Sequence, residues 1–199
     1  MEHKEFDGSW KEIWTQKGNQ KGTKSDVLEY GGWNHSQTPA DEIVHKMVSF
    51  MEIKNDDNVL EIGCGAGGMA QFLNCKYIGI DYSEPSTKKC MEFFQLPAIC
   101  CEANDLPFKD GYFDYTFAYG CFMYFSSTDY AVAVANEMRR VSKKGVFIGE
   151  LPRESHEPKH LLFDECVFKN MGFDIMGGWC APYEKVRFSA YWFADGRLR

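Results

Sequence analysis

A chain of 199 residues with 44% hydrophobic and 26% charged side chains has the size and core-forming content of one globular domain. Its formal net charge of −7 has the wrong sign for a phosphate-backbone partner, and no run reaches the ~18 apolar residues that span a bilayer, so neither nucleic acid nor membrane is an expected partner. The charged start MEHKEFDGSW lacks the apolar stretch of a secretion signal, which predicts a cytoplasmic location.

The chain carries no internal repeat and no low-complexity tract. Its eight cysteines include no C-x-x-C pair, so reduced and mostly buried thiols are expected, with no metal site; Cys64, Cys100 and Cys101 fall in strand or loop-core segments. Residues 1–36 form an aromatic-rich, turn-rich leader, with Trp10, Trp14, Tyr30 and Trp33 among glycines and charges. That composition predicts a lid or cap, with possible hinges at Gly18, Gly22, Gly31 and Gly32, over a catalytic core formed by 37–199.

The core opens with TPADEIVHKMVSFME, a predicted helix with Thr38 as N-cap, Pro39 at its first position and Ile43, Met47 and Phe50 on one face. NVLEIG reads as a strand, followed by a glycine loop and a short helix through Gln71 and Leu73. KYIGID is a second strand, SEPSTKKCMEFFQ a helix capped by Ser83, and PAICCEA a third strand. The strand GYFDYTFAYG, the amphipathic helix TDYAVAVANEMRRVSK and the apolar strand GVFIGEL continue the alternation. KHLLFDECVFKNMGF is a predicted helix, and DIMGGWC and VRFSAYWF are strands joined by a turn near Pro182. Strands alternating with helices imply a parallel sheet covered on both faces, whereas the short link of the last pair requires antiparallel pairing.

The glycine loop fits two ligands. Gly63, Gly65 and Gly68 spell the G-x-G-x-x-G of dinucleotide sites, and Gly63, Gly65 and Gly67 the G-x-G-x-G of S-adenosylmethionine (SAM) sites. Both use glycines for a tight turn and close backbone approach. Glu61 on the preceding strand would sit badly beside a pyrophosphate and well beside a cation, while Asp81, ending the next strand, is placed to accept two ribose hydroxyls of either ligand.

The third strand and its sequel resolve the choice through resemblance. VLEIGCGAG, YIGIDYS, EANDLPFKDGYFDYTF and EMRRVSKKGVFIGE, in this order from about Val59 to Gly149, resemble the class I SAM-dependent methyltransferases. The resemblance implies an α/β fold with a seven-stranded Rossmann-like sheet, mostly parallel with its last strand antiparallel, and helices on both faces. It implies SAM as cofactor and S-adenosylhomocysteine (SAH) as product. Gly63, Gly65 and Gly67 would lie under the methionine and ribose, Glu61 near the ammonium, and Asp81, with Tyr82 beside it, at the ribose. Glu102, where the family more often has Asp, and the Ala103 amide would meet the adenine. Tyr119 and Gly120 would flank the methyl group in transit.

Methyl transfer from a sulfonium mainly requires alignment, and an O or N acceptor can also need a general base. Of the five histidines, His35 and His160 are the candidates, because family sites receive groups from both regions; Tyr119 completes the expected catalytic set. The Asn/Asp-Pro-Pro-Tyr/Phe motif of DNA amino-methylating enzymes is replaced by AYGCF, and the acidic balance favours a small-molecule acceptor, handled by a monomer or homodimer. Two alternatives remain open: an S- or arsenic-methylating enzyme using Cys121, and a catalytically silent SAM-binding scaffold subunit.

Overall fold

The computed structural model describes residues 9–27, 37–155 and 157–197. Its seven strands are β1 (Asn58–Ile62), β2 (Lys76–Asp81), β3 (Ala98–Cys100), β4 (Phe113–Tyr119), β5 (Ser142–Pro152), β6 (Asp174–Gly177) and β7 (Arg187–Phe193). They form one sheet in the order β3-β2-β1-β4-β5-β7-β6. All pairings from β3 through β5 are parallel, and β7 runs antiparallel to both β5 and β6. The expected parallel sheet with a reversed last strand is thus the architecture observed.

Strand alternation explains how both faces are covered. Val59, Tyr115, Phe117, Phe147, Tyr191 and Phe193 pack on one side against Ile43, Val44, Met47 and Met51. These four belong to helix α2 (Ala40–Met51). Their sheet neighbours Leu60, Ile62, Ala118, Val146, Ile148 and Ala190 point the other way, toward Ala131, Val134, Ala135, Met138 and Val141 of helix α4 (Thr128–Val141). The 3–4 spacing on α4 builds one apolar stripe, and Ser127 caps its start by accepting the Tyr130 amide at 3.1 Å.

Helix α3 (Glu84–Phe94) follows β2 and contacts β2 and β3. Ser83 occupies its N-cap position but makes no capping bond to the helix amides; its hydroxyl pairs with Ser86 Oγ at 2.9 Å. Helix α1 (Trp10–Asn19) lies on α3. No helix was expected in the leader, yet Ser9 and Glu12 close a capping box around its first turn. Helix α5 (Glu165–Asn170) precedes β6.

Four local expectations need correction. Pro39, not Thr38, sits at the N-cap of α2, because the Thr38 hydroxyl is engaged elsewhere, accepting the Ala181 amide at 2.9 Å. The helix expected over KHLLFDECVFKNMGF shrinks to α5. The Leu161 amide bonds to the Met123 carbonyl and that of Phe163 to the Pro152 carbonyl, both at 2.9 Å, and Asp164 starts the helix by accepting the Cys166 amide at 2.7 Å. The short helix at Gln71 is a 3-10 turn, Ala70–Phe72. All eight cysteines are free thiols, but Cys100 and Cys166 are exposed; Cys100 lies on the edge strand β3, which no described residue pairs on its outer side.

Candidate active site

A cavity of about 540 Å³ opens where the strand order reverses between β1 and β4, bounded by the carboxyl ends of β1, β2 and β4 and roofed by α1. Ligands of open α/β sheets bind in this crevice, and the volume suits a cofactor or drug-sized molecule.

Its floor is built from backbone geometry. After β1 the chain takes left-handed turns at Gly63 (φ 73), Gly65 (φ 52) and Gly67 (φ 87), a conformation that disfavours any side chain. The amides of Gly63 and Cys64 both donate to the Ile80 carbonyl at 2.9 Å, fastening the loop to β2. The three glycines then differ. A Cβ at Gly63 would strike Cys121 and one at Gly67 would strike Phe94 and Cys90, whereas Gly65, like Gly120 after β4, borders open space. Gly63 and Gly67 are therefore demanded by protein packing, and Gly65 and Gly120 leave room for a ligand.

Two carboxylates flank the loop. Glu61 is only 3% exposed and accepts the Tyr77 hydroxyl at 2.7 Å. Burial pushes its carboxyl up to about 8, against that hydrogen bond, and the nearby Asp81 charge adds to the rise. Asp81 accepts the Gly65 amide at 3.0 Å on one oxygen and the Ser83 amide at 2.8 Å on the other. Burial still holds its carboxyl above the usual range. The floor thus holds two carboxyl groups whose charge is poorly compensated by protein alone.

The roof and far walls are made by side chains. Lys11 pairs with Glu102, whose other oxygen accepts the Tyr130 hydroxyl at 2.9 Å. Together these keep the Glu102 carboxyl below its ordinary value, Lys11 first. The Tyr82 hydroxyl donates to the Trp10 carbonyl at 3.3 Å. Trp10 donates its indole N–H to the Lys159 carbonyl at 2.9 Å, and its ring meets Tyr124 at 4.7 Å and His160 at 5.3 Å. Gly18, expected as a hinge, lies in the last turn of α1 with no room for a Cβ, 2.7 Å from Ser86 Oγ and 2.9 Å from Ser83 Oγ.

The structure therefore gathers Glu61, Gly63, Gly65, Asp81, Tyr82, Glu102, Ala103, Tyr119 and Gly120 around one cavity. Gly67 stands just behind it, against α3. His160 borders the wall through Trp10 and Tyr124, with Nδ1 2.6 Å from Ser155 Oγ. His35, Trp33, Tyr30, Gly31 and Gly32 lie outside the described residues. Cys121 sits on the cavity wall with its thiol 3.5 Å from the Ile62 carbonyl, and burial raises its pKa far above the usual thiol range.

One residue of consequence went unread in the sequence. Glu150, 2% exposed, has a left-handed backbone (φ 64) where the β5–β7 register shifts between Ile148 and Leu151. It accepts the Tyr119 hydroxyl at 3.2 Å, the Trp179 amide at 3.1 Å and the Cys180 amide at 3.3 Å, and pairs with Arg187 at 3.1 Å. The strand GVFIGEL ends in a carboxylate where apolar residues would fill the core, a signal of the same kind as Glu61 in VLEIG. The bulge re-aims that side chain toward the wall that carries Tyr119.

The sequence profile of the family described as "Methyltransferase domain" matches residues 60–148. An uncharacterized protein of Methanocaldococcus jannaschii is 38% identical over 72 residues, covering 36% of this chain and 28% of that protein. The sterol 24-C-methyltransferase of Schizosaccharomyces pombe is 26% identical over 148 residues, covering 63% of this chain and 38% of that enzyme. The chain thus spans about a third of the length of the curated relatives it matches. The crystal structure of the N-methyltransferase NodS from Bradyrhizobium japonicum, in complex with SAH, superposes with a TM-score of 0.70 at 13% identity over 94% of this chain and 98% of that one. The profile match thus falls on the segment that runs from β1 to β5, residues 60–148, and the chain shares its fold with the SAH-bound N-methyltransferase NodS.

Proposed function

We propose that the chain binds SAM in this cavity and transfers its methyl group to an oxygen or nitrogen of a small-molecule acceptor by in-line displacement. The observation that carries the reading is the pair of carboxylates, the buried Glu61 and the partly buried Asp81, on either side of a left-handed glycine loop that opens onto free space at Gly65. Such a floor suits a ligand with a cationic end and a diol, and SAM has both. Glu61 would regain its charge beside the ammonium group. Each Asp81 oxygen already holds one backbone amide and keeps a lone pair for a ribose hydroxyl.

Glu102 and the Ala103 amide face the adenine in this reading, and Tyr82 the ribose. Gly63 and Gly67 shape the loop on which the methionine part rests. Bound SAM supplies an activated methyl group on sulfur, so the protein contributes alignment and exclusion of water, and such positioning can account for about 7–11 kcal/mol of barrier. Tyr119, oriented by Glu150, and Gly120 border the line of transfer, and burial keeps the Tyr119 hydroxyl protonated. It therefore acts as a hydrogen-bond donor rather than a base. His160, whose ring meets those of the wall residues Trp10 and Tyr124 from behind, would take a proton from the acceptor in this reading; His35 keeps the same proposed role. Residues 1–36 serve as the lid or cap, of which α1 is the described part.

A small acceptor fits a cavity of about 540 Å³ lined by Trp10, Trp14, Tyr119 and Tyr124. The net charge of −7 supports a partner other than nucleic acid. Among the described residues no helix is long and apolar enough to cross a membrane. Cys121, held as a neutral thiol against the Ile62 carbonyl, favours O or N methylation over the thiol-assisted alternative. The test is transfer of labelled methyl from SAM to a panel of small phenols, carboxylic acids and amines. Turnover that survives Cys121→Ala and falls at least tenfold in His160→Gln, with SAH affinity unchanged, supports the assignment. SAH binding without turnover on any acceptor would turn the reading into that of a silent scaffold.

A further inference from the structure

Helix α1 brings two hydrogen-bond donors to the cavity that have no acceptor among the described residues. Trp14 and Lys17, three residues apart and so on one helix face, both line it. The Trp14 indole N–H is buried and donates to no group among the described residues. Lys17 is half-buried, and its ammonium lies 4.2 Å from the centroid of the Trp14 ring. Among the described residues no carboxylate comes within ion-pair distance of it, although four other lysines, Lys11, Lys88, Lys144 and Lys169, pair with Asp or Glu. Burial accordingly lowers its pKa. A buried N–H without an acceptor and a half-buried ammonium held over the indole face but without a counter-charge are each unfavourable, and one anionic acceptor relieves both.

We propose that Trp14 and Lys17 form a carboxylate subsite in the roof of the cavity, in which Lys17 neutralises the charge and the indole N–H holds the group in orientation. One cation and one neutral donor match a singly charged group with two oxygens. A phosphate would bring more charge and more acceptor oxygens into a cavity that already holds Glu61, Asp81 and Glu102. Resting on the SAM reading of the site, the subsite has two chemical sources: the methionine carboxylate of the cofactor, or a carboxylate on the acceptor.

Calorimetry on the full chain separates them. The probes are SAH, 5′-methylthioadenosine, which lacks the amino-acid end, and benzoate added to SAH-saturated protein; the variants are Lys17→Met, which keeps an aliphatic stem over the indole, and Trp14→Phe. If the cofactor supplies the group, both variants weaken SAH, Lys17→Met by about tenfold or more, and leave methylthioadenosine unchanged, which also shows the fold intact. If the acceptor supplies it, SAH binding stays as in the parent while benzoate binding is lost in both variants. Parent-like SAH affinity in both variants, with benzoate binding absent or unaffected, overturns the subsite and leaves the cofactor reading standing. Failure of SAH to bind the parent, with benzoate bound through Lys17, would do the reverse.

Discussion

The floor and the roof of the cavity are built by different means. The floor comes from one short stretch of chain, Val59 to Ser83, in which backbone amides of the glycine loop bond to the Ile80 carbonyl and to Asp81. The roof is joined by side chains across long separations: Lys11 to Glu102, Trp10 to Lys159, Gln20 to Lys89, and Gly18 against Ser83 and Ser86. A floor of local backbone bonds is rigid before any ligand arrives. A roof of separate, partly exposed contacts can be loosened one contact at a time, which is the property a lid requires.

The sharpest way to break this comparison is at the wall beside the floor. Glu150→Ala removes the carboxylate partner of the largely buried Arg187 and strands the Trp179 and Cys180 amides. Leaving a buried charge unpaired costs about 3–5 kcal/mol, which denaturant unfolding will read as a large fall in midpoint. A loss below about 1 kcal/mol would mean that this wall is as loosely held as the roof.

Glu61 gives the next effect, through pH. Its carboxyl is raised from 4.5 to about 8 in the folded protein, so between those values the folded state holds a proton that the unfolded chain has released. Stability contributed by this group is complete below pH 4.5 and is lost as pH rises toward 8, with a slope of at most about 1.4 kcal/mol per pH unit. Thermal melts across that range should show the decline, and Glu61→Gln should flatten it. A ligand ammonium beside Glu61 favours its charged form, so SAH binding at neutral pH should release up to about one proton. Calorimetry in buffers of different ionisation enthalpy measures that release, which Glu61→Gln should abolish.

The roof answers more weakly. Gly18→Val forces two methyl groups into the α1–α3 contact, where a Cβ would already stand 2.7 Å from Ser86 Oγ, and overpacking of this kind costs about 1–3 kcal/mol. If α1 acts as the proposed lid, the expected signature is faster hydrogen exchange confined to Trp10–Asn19, with the sheet as protected as in the parent. Lys11→Ala should matter least, below about 1 kcal/mol, since both partners of its ion pair are substantially exposed.

The same contrast explains which parts could be read from the sequence. Glu61, Asp81 and the glycine loop stand within a single strand-loop-strand unit, where a carboxylate in an apolar run and glycines at fixed spacing announce themselves. The reversed β7 followed from the short link around Pro182. Helix α1 was legible only in Ser9 and Glu12, a capping box hidden by glycines and aromatics that suggested turns. Residues 161–163 look helical by composition but are pulled straight by amide bonds to Met123 and Pro152, partners that no local pattern reveals. Thr38 lost its cap role to the distant Ala181 amide. Trp14 and Lys17 could be seen as aromatic and basic, but that one lacks an acceptor and the other a counter-charge is a property of the folded surroundings.

The most direct measurement of the central claim is calorimetry of SAH and of NAD against the parent protein and Asp81→Ala. The account predicts that SAH binds, that NAD does not compete with it, and that Asp81→Ala weakens SAH by at least tenfold, because each charge-assisted hydrogen bond from the ribose contributes about 1.5–3 kcal/mol. Tighter binding of NAD than of SAH, or unchanged SAH affinity in a folded Asp81→Ala protein, would contradict it.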